Sequence, residues 1–471
     1  MDMRSIVIVA LLMLTTIGCE GAADTPVPRL PQLIDVGGPK LAHPQLVPIF
    51  YADYSDIDSV TQFSEWIVTS SWLDAVGAEY GVGAGSVLGV VRKPEPSPDT
   101  IDDTGIVDML YQGLADGTVP KPTADTLYMI YFTSHTTVTA GSARSCNDFF
   151  GYHSSARRDG VELAYAVITA CATVSIVGSH ELIEAATDPF PSTHPGFQLR
   201  DPTSPWLSLG GEVADLCQRG GDPSETWTES KHVVQRSWSN AAAAAEQDPC
   251  VPHVYGPTYF NVVPDIRTVQ RIPPGGHQQI DLEGWSSNGV VGWKLTAEPA
   301  TFGEATLTLG ANTIGDGRPT TLDIAIPSTA RVGSLIQLYL VSTFDPLYQF
   351  LPLPVIAGDP CTSFSFDCVT CTTHTGCGFC ESSGRCEAMG ATGSAESSCS
   401  AKSFATWPGS CPGVCASHAR SCLDCATQIG CGWCASGDAT GCMEASHDYS
   451  HPETGACAYA DWSFSPNYCP R

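Results

Sequence analysis

The hydrophobic positions of the chain change their spacing along its length, and the first part predicts alternating strands and helices. Short runs rich in β-branched and aromatic residues predict strands: LVPIFYAD, GSVLGVV, TLYMIYFT and LAYAVITAC. Between and after them, apolar residues recur at helical spacing in SVTQFSEWIVTSSWLDAVGAEYG, IVDMLYQGLADG and TVSIVGSHELIEAATD. This alternation predicts an α/β layered domain over residues 44–253.

The next part, residues 254–358, has no helical spacing. Short alternating segments such as HQQIDLEGW, TTLDIAIP and LIQLYLVST are separated by Gly, Pro and Asn. About a hundred residues of this kind predict an all-β sandwich of immunoglobulin-like architecture. We expect it to act as a spacer or packing module rather than as a dedicated binder.

The N-terminal residues predict export. An Arg near the start is followed by an apolar stretch from Ile6 to Leu14, which is long enough for a signal peptide and too short for a membrane span. The following TTIGC resembles the lipobox of bacterial lipoproteins, which implies cleavage and lipid attachment at Cys19. Residues 20–43 then predict a Pro/Gly-rich tether. We expect anchoring to the outer membrane or cell surface, with secretion as the alternative and the lipid as the only membrane contact.

The charge and the absence of several motifs exclude some functions. The chain has 22 Lys and Arg against 50 Asp and Glu, a formal charge of −28, so binding to nucleic acid is opposed electrostatically. It has no phosphate-cradling glycine loop, which argues against a nucleotide partner. It also lacks a G-x-S-x-G nucleophile elbow, which disfavours a serine hydrolase.

The 21 cysteines divide in a way that favours disulfides. Apart from Cys19, four lie at 146, 171, 217 and 250, and sixteen lie in the last quarter of the chain. Both numbers are even, which in an oxidising compartment implies structural disulfides and no thiol left for catalysis.

The sixteen C-terminal cysteines form two octets whose first five members share one spacing, as in CVTCTTHTGCGFC and CLDCATQIGCGWC. These segments resemble two plexin-semaphorin-integrin (PSI) repeats, over residues 359–411 and 412–471. A zinc ribbon is the rival interpretation, which export and the even count disfavour. The PSI resemblance implies eight disulfides: Cys361 to Cys377, Cys368 to Cys411, Cys371 to Cys386, Cys380 to Cys399, Cys415 to Cys431, Cys422 to Cys469, Cys425 to Cys442, and Cys434 to Cys457.

The segment SHELIEAATDPF carries the candidate chemistry. On a helix, His180 and Glu184 lie one turn apart on one face, with Asp188 a further turn along. Imidazole and carboxylate are ligands of zinc and related ions. Glu181, next to the first ligand, would serve as the general base.

A third ligand is needed, and GGEVADLC supplies Glu212 and Asp215. The pattern resembles the gluzincin group of zinc peptidases, which implies Glu212 as the third ligand and Asp215 as support for His180. Asp188 and His153 are alternative ligands. Downstream, the sequence offers three further residues as candidate substrate or oxyanion contacts: His232, Arg236 and Asn240.

The segments GYHSS, SHELIEAATDP, GGEVADLC and VQRSWSN together are similar to a recurring domain of secreted microbial proteins and faintly to the plant EXORDIUM family. Two hypotheses follow. The first is a surface-anchored metallohydrolase, a zinc-dependent endopeptidase acting on extracellular protein or peptide, with another divalent cation as an alternative cofactor. The second is a surface adhesion or binding protein in which the zincin-like domain has lost catalysis.

Overall fold

A computed structural model describes residues 30–469 with gaps, so the signal segment and Cys19 lie outside the described residues. The described chain is multidomain and rich in β-structure, with few helices and a disulfide-rich C-terminal region. None of its described helices combines the length and the apolar character that crossing a membrane requires. The gaps are 202–203, 220–225, 266–268, 288, 291, 302, 359–360, 365–367, 375, 391–392, 395–398, 400–403, 412, 414, 416–417, 419–420, 429, 437–439, 446–450, 453–456, 459–460 and 466–468.

The first region is built around one mixed sheet with helices on both sides. Its helices are α1 (Ile57–Ile67), α2 (Ser71–Gly77), α3 (Asp103–Asp116), α4 (Val174–Thr187) and α5 (Asn240–Ala244). Its strands are β1 (Ile34–Asp35), β2 (Gln45–Phe50), β3 (Ser86–Val87), β4 (Val91–Arg92), β5 (Thr100–Asp102), β6 (Thr126–Phe132), β7 (Thr137–Ala140), β8 (Ala143–Arg144), β9 (Gly151–Arg158), β10 (Val161–Thr169), β11 (Phe197–Gln198), β12 (Thr226–Glu229), β13 (His232–Gln235), β14 (Ser237–Trp238) and β15 (Cys250–Val251).

The main sheet has the order β3-β2-β6-β10-β9, with β4 also paired to β2. Strands β2, β6 and β10 run parallel, and β9 lies antiparallel to β10 at the edge. Since successive side chains of a strand point to opposite faces, β6 sends Met129 and Tyr131 to one core and Ile130 and Phe132 to the other. The first core includes residues of α1, α2 and α4, and the second includes residues of α3. The strands are therefore covered on both faces.

Helix α4, which carries the SHELIE segment, is a buried helix. Ten of its residues are buried, from Val177 to Thr187 with the exception of His180. The backbone N–H of Asp188, just after the helix, donates to the carbonyl of Glu184 at 2.7 Å. The polar stripe predicted from the sequence therefore lies inside the protein, where charges need partners.

The tether assignment is wrong for residues 30–43. Leu30, Leu33 and Leu41 belong to the first core and are at most 3% exposed. Strand β1 pairs antiparallel with β11. Apolar side chains in this Pro-rich stretch are thus used for packing, and the folded region begins by residue 30.

The second region contains two antiparallel-rich sheets that share one core. One sheet has the order β16-β18-β22-β20 and the other β17-β24-β23-β19-β21. Leu282 and Ile324 from the first sheet and Leu340 and Leu353 from the second are buried together. The strands are β16 (Phe260–Pro264), β17 (Gln270–Ile272), β18 (His277–Ser286), β19 (Trp293–Pro299), β20 (Thr306–Leu309), β21 (Thr313–Ile314), β22 (Pro319–Ala325), β23 (Leu335–Phe344) and β24 (Leu347–Ala357).

The third region consists of two short cysteine-rich repeats. In each, a one-turn helix precedes a strand with the sequence C-G-aromatic-C. The elements are α6 (Cys368–Thr372), β25 (Cys377–Cys380), β26 (Arg385–Gly390), β27 (Gly393–Ser394), β28 (Phe404–Ala405), α7 (Cys422–Ala426), β29 (Cys431–Cys434), β30 (Gly441–Glu444) and β31 (Trp462–Ser463).

Disulfide bonding is confirmed. The repeats contain the eight pairs implied by the PSI resemblance. The first region contains two more, Cys146–Cys171 and Cys217–Cys250. Disulfides in this number are typical of exported proteins, and each typically contributes roughly 2–4 kcal/mol to stability.

Candidate metal centre

The candidate centre is built on helix α4, whose packing fixes its polar side chains. Leu182 and Ile183, which lie between Glu181 and Glu184 in the sequence, are fully buried in the first core. Ser179 accepts a hydrogen bond at its Oγ from the backbone N–H of Gln235 on β13, at 2.9 Å. This bond ties the helix to the neighbouring strand at the level of His180.

His180 is oriented by a glutamine that the sequence analysis did not single out. The Gln235 Nε2 donates to the carbonyl of Ala214 at 2.8 Å, so its Oε1 faces His180 Nδ1 at 2.9 Å. An amide oxygen only accepts, so Nδ1 carries the proton. The other nitrogen, Nε2, lies 3.1 Å from Glu184 Oε2 and 3.7 Å from Asp215 Oδ1. A nitrogen lone pair facing two carboxylates requires a cation or a second proton between them.

Glu184 connects the helix to the loop that carries the acidic pair. Its Oε1 accepts the backbone N–H of Asp215 at 3.0 Å, which leaves Oε2 directed at the histidines. The loop also needs Gly210, which has φ +132°, and a Cβ there would come within 1.8 Å of Asp215 Oδ2. A side chain at position 210 would therefore displace the Asp215 carboxylate.

The second histidine, His153, comes from the edge strand β9, where only 4% of its side chain is exposed. Its Nδ1 lies 3.6 Å from Glu184 Oε2 and 3.8 Å from Glu181 Oε2. Its Nε2 lies 3.5 Å from Glu212 Oε1 and 3.2 Å from the carbonyl oxygen of Asp188. The imidazole is thus surrounded by acceptors.

This close approach depends on Gly151. A Cβ on Gly151 would lie 2.5 Å from Val177 Cγ1 and 2.6 Å from Glu181 Oε1, both on α4. Glycine removes that clash and lets β9 lie against the helix. His153, two residues later on the same face of the strand, is thereby brought to the carboxylates.

The donor atoms form two groups of three, each with its atoms within 4.8 Å of one another. The first group is His180, Glu184 and Asp215, and the second is His153, Glu184 and Glu212. The predicted ligands His180 and Glu184 are therefore together. Asp215, predicted as support, lies in their group, and Glu212, predicted as their third ligand, lies with His153. A third group found among the described residues, Cys415, Cys431 and Cys442, is bonded in disulfides.

The electrostatics of the cluster favour bound cations. Burial raises the pKa of Glu212 and of Asp215 well above the usual carboxyl value, and it also raises the pKa of Glu181. Burial opposes ionisation of Glu184 too, but His180 and His153 outweigh it and lower the pKa of Glu184. The cluster thus holds more buried acid than its two imidazoles can neutralise.

Both histidines respond to the same carboxylates. Burial lowers the pKa of His153, but Glu212, Glu181 and Glu184 outweigh it and raise that pKa well above the usual value. At His180, burial again lowers the pKa, but the nearby carboxylates of Glu184 and Asp215 outweigh it. The pKa of His180 is therefore also raised well above the usual value. A cation that displaced these protons would meet carboxylates already arranged around positive charge.

Glu181 lies between the cluster and a cleft. The cleft has a volume of about 850 Å³ and is lined by His180, Glu181, Asp215, Gln235 and the 147–151 segment at the start of β9, among others. The Glu181 side chain is 3% exposed, and its Oε2 has no hydrogen-bond partner among the described residues. Glu181 is therefore an acidic side chain of the cluster that borders the cleft and belongs to neither donor group.

Asp188 lies outside both donor groups. Its carboxylate accepts from Gly196 N–H at 2.8 Å and from Gln198 Nε2 at 2.7 Å, so both oxygens are used to hold the following loop. Its backbone carbonyl, rather than its side chain, contacts His153. This arrangement does not favour Asp188 as a metal ligand.

The three candidate substrate contacts have structural partners instead. His232 stacks on Trp66, with ring centroids 4.7 Å apart. Arg236 is 6% exposed and pairs with Asp248 at 2.6 Å. Asn240 holds the backbone of Leu33 through two hydrogen bonds of 2.9 and 2.7 Å. Each of the three residues is thus used in packing or in fixing the chain, and their role as substrate or oxyanion contacts stays a prediction.

Comparison with known proteins gives no family for this chain. No family model matches, and no curated protein matches. Among solved structures, domains 4 and 5 of the S-layer protein SbsC align at 12% identity over 22% of this chain and 54% of that one, with a TM-score of 0.18. That alignment covers about half of the S-layer fragment.

Two further structures align over similarly small parts. A FixG-related protein from Vibrio parahaemolyticus aligns at 13% identity over 22% of this chain and 97% of its own, with a TM-score of 0.17. A family 123 glycoside hydrolase from Clostridium perfringens aligns at 8% identity over 23% of this chain and 29% of its own, with a TM-score of 0.16. Scores this low carry no argument about function.

Proposed function

We propose that the protein is an exported, cation-dependent hydrolase, and specifically a zinc endopeptidase acting on extracellular protein. The observation that carries the proposal is the orientation of His180. Its Nδ1 is held by Gln235, and its Nε2 faces Glu184 and Asp215. A histidine held by a neutral acceptor on one side, with carboxylates on the other, is the usual arrangement of a metal ligand.

The donor set fits zinc. Tetrahedral zinc with nitrogen and oxygen ligands at 2.0–2.2 Å separates its ligand atoms by about 3.3–3.6 Å. The two distances from His180 Nε2, 3.1 Å to Glu184 and 3.7 Å to Asp215, bracket that value. One imidazole with two carboxylates also suits manganese, so another divalent cation is the second candidate.

In such a site, zinc supplies a Lewis acid and lowers the pKa of a coordinated water to about 7. Glu181, which lines the cleft, takes the proton from the attacking water and later returns it to the leaving amine. Burial raises the pKa of Glu181, which brings this carboxylate nearer to neutrality as a base and acid. His180 and Asp215, which would hold the zinc, border the same cleft, so a substrate in the cleft would lie beside the ion.

A peptide substrate agrees with the shape of the cleft. Phe149, Phe150 and Gly151 line it and lead into β9, which forms the edge of the main sheet as described. An extended peptide can pair with the backbone of such an edge strand. The pairing would place its amide bond next to Glu181.

The finer identities of the other regions belong to the same proposal. We infer an immunoglobulin-like sandwich, PSI-like repeats and a lipid at Cys19, with the sandwich and repeats holding the hydrolase away from the membrane. Trp206 of the first region packs on Phe350 of the sandwich, with centroids 5.5 Å apart, which supports a fixed spacer. The adhesion alternative would use the same surfaces without catalysis.

The test combines metal analysis with proteolysis of unfolded casein by the full chain, folded with its disulfides. We expect bound zinc in the parent and in Glu181→Gln, and loss of activity by at least 10²-fold in Glu181→Gln. Glu65→Gln, which changes an exposed glutamate on α1, should behave as the parent. Zinc binding with equal activity in Glu181→Gln and the parent would refute the catalytic role, and absence of metal would favour the adhesion protein.

A further inference from the structure

We propose that the centre holds two divalent cations that share the carboxylate of Glu184. The first cation binds His180, Glu184 and Asp215, as in the proposed function, on which this inference rests. The second binds His153, Glu184 and Glu212. The second position is a metal site distinct from that of the hydrolytic zinc, and it accepts an ion that takes nitrogen and oxygen ligands, such as zinc or manganese.

The geometry favours two positions over one. Each histidine belongs to a different group of three donors, and Glu184 belongs to both. Glu184 Oε2 lies 3.1 Å from His180 Nε2 and 3.6 Å from His153 Nδ1, between the two rings. Its Oε1 is held by the backbone N–H of Asp215. A single oxygen facing two imidazoles is placed as a bridge, and two-metal hydrolytic sites have ions about 3.5–4 Å apart.

The burial of four carboxylates also favours a second cation. The side chains of Glu181, Glu184, Glu212 and Asp215 are each at least 80% buried. Their ion pairs, as far as the described chain shows, are with His153 and His180. One divalent ion would neutralise two of the four carboxylates, and two ions would neutralise all four. Buried charge without compensation costs several kcal/mol, so the second ion has a physical reason to bind.

A buried, unpartnered oxygen of Glu212 marks the second position. Glu212 Oε1 and Glu181 Oε2 are buried without a hydrogen-bond partner in the described structure. Both point at His153, at 3.5 Å from Nε2 and 3.8 Å from Nδ1, respectively. Buried acceptors normally find a donor. The two oxygens face different nitrogens of the ring, so an ion on Nε2 would be met there by Glu212 Oε1, and Glu181 Oε2 would face Nδ1.

A proton on His153 is the competing explanation, because an imidazolium would also satisfy these carboxylates. The two differ in stoichiometry. With a proton the protein binds one ion per chain, and with a second cation it binds two. They differ also in spectroscopy, since two manganese ions about 3.5–4 Å apart are magnetically coupled and an isolated one is not.

The experiment uses the full chain, stripped with chelator and titrated with zinc or manganese alone, with bound metal counted by elemental analysis. We expect two ions per chain in the parent and one in His153→Gln and in Glu212→Gln. Manganese-loaded parent should show a spin-coupled electron paramagnetic resonance signal, which both variants lose. His135→Gln, which removes an exposed histidine paired with Asp53, is the matched control and should keep two ions.

The parent decides the question even where a variant fails to fold. One ion per chain with an uncoupled spectrum would overturn the second site and leave the proposed function intact. No bound ion would overturn both. Two coupled ions in the parent, with the stoichiometry unchanged in folded His153→Gln and Glu212→Gln, would overturn the assignment of these residues.

Discussion

Gln235 Oε1 lies 2.9 Å from His180 Nδ1, and this hydrogen bond decides which nitrogen of the histidine faces the carboxylates. The glutamine is itself 3% exposed and is fixed by its bond to the carbonyl of Ala214. The tautomer of the candidate ligand is therefore set by a residue on another element, in a pattern common to metal-binding histidines.

Replacing this glutamine should weaken metal binding. In Gln235→Ala, the His180 ring loses its orienting acceptor, so we expect zinc affinity to fall by about 10–100-fold. Isothermal titration with a competing chelator measures this change. Gln218→Ala, which alters another glutamine of the same cleft, should keep the parent affinity. Equal affinities for the two variants would contradict the orienting role.

Adding a methyl group at Gly151 should separate β9 from α4. The new Cβ would meet Val177 and Glu181 at about the distances found above, 2.5 and 2.6 Å, which is too close for any real contact. We expect Gly151→Ala to lower the free energy of unfolding by about 1–3 kcal/mol, measured by urea denaturation. Gly83→Ala, where the nearest atoms lie 3.7 Å away, is the control and should change stability little. A stable Gly151→Ala with unchanged metal binding would disprove the constraint.

Breaking the Cys217–Cys250 disulfide should affect both stability and the centre. The bond joins residues 33 apart and fixes the chain two residues after Asp215. Its replacement by two serines should cost roughly 2–5 kcal/mol of stability and weaken zinc binding. The equivalent change at Cys361–Cys377, in the first repeat, should leave zinc binding unaltered. A metal titration of both variants separates local from global effects.

The metal-free protein should lose stability as the pH rises from about 5 to 8. Five side chains of the two donor groups and their neighbour Glu181 have raised pKa values in the folded state: Glu181, Glu212, Asp215, His153 and His180. A group with a raised pKa binds its proton more tightly when folded, so it favours folding at low pH. In the unfolded chain the pKa values are 3.8 to 4.5 for the acids and 6.5 for the histidines. The contribution to stability is lost as the pH rises from these pKa values through the higher pKa values of the folded state.

Glu184 acts with the opposite sign. Its lowered pKa adds stability above its unfolded value of 4.5, and acidification through the folded value removes that contribution. Stability without metal should therefore be greatest in weakly acidic solution. Urea denaturation in chelator across this pH range measures it. With saturating zinc, the slope should reverse, since protons compete with the metal for the same donors. Stability that rises with pH in chelator would contradict the pKa assignments.

Local pattern was enough to locate much of the fold. Strand β6 and helix α3 follow the predicted segments closely, because buried β-branched runs and apolar residues at helical spacing are read over a few neighbouring residues. The long segment predicted as one helix is instead two, α1 and α2, with the break at Val68–Ser70. Ser70 caps the second by accepting the N–H of Leu73.

What the sequence by itself determined is a set of local facts: cysteines that are even in number once Cys19 is set aside, two repeats with one spacing, and a helix that brings His180, Glu181 and Glu184 together. What only the tertiary structure decided is which residues meet them. Asp215 lies with His180, and Glu212 lies with His153. The turn at Gly210 and the hydrogen bond from the Asp215 backbone N–H to Glu184 fix the loop in this position. His153 and Gln235 arrive on separate strands. Contacts between distant segments depend on the order of strands in the sheet and on the space that a glycine such as Gly151 leaves between elements. The residue spacing within one segment cannot predict either of them.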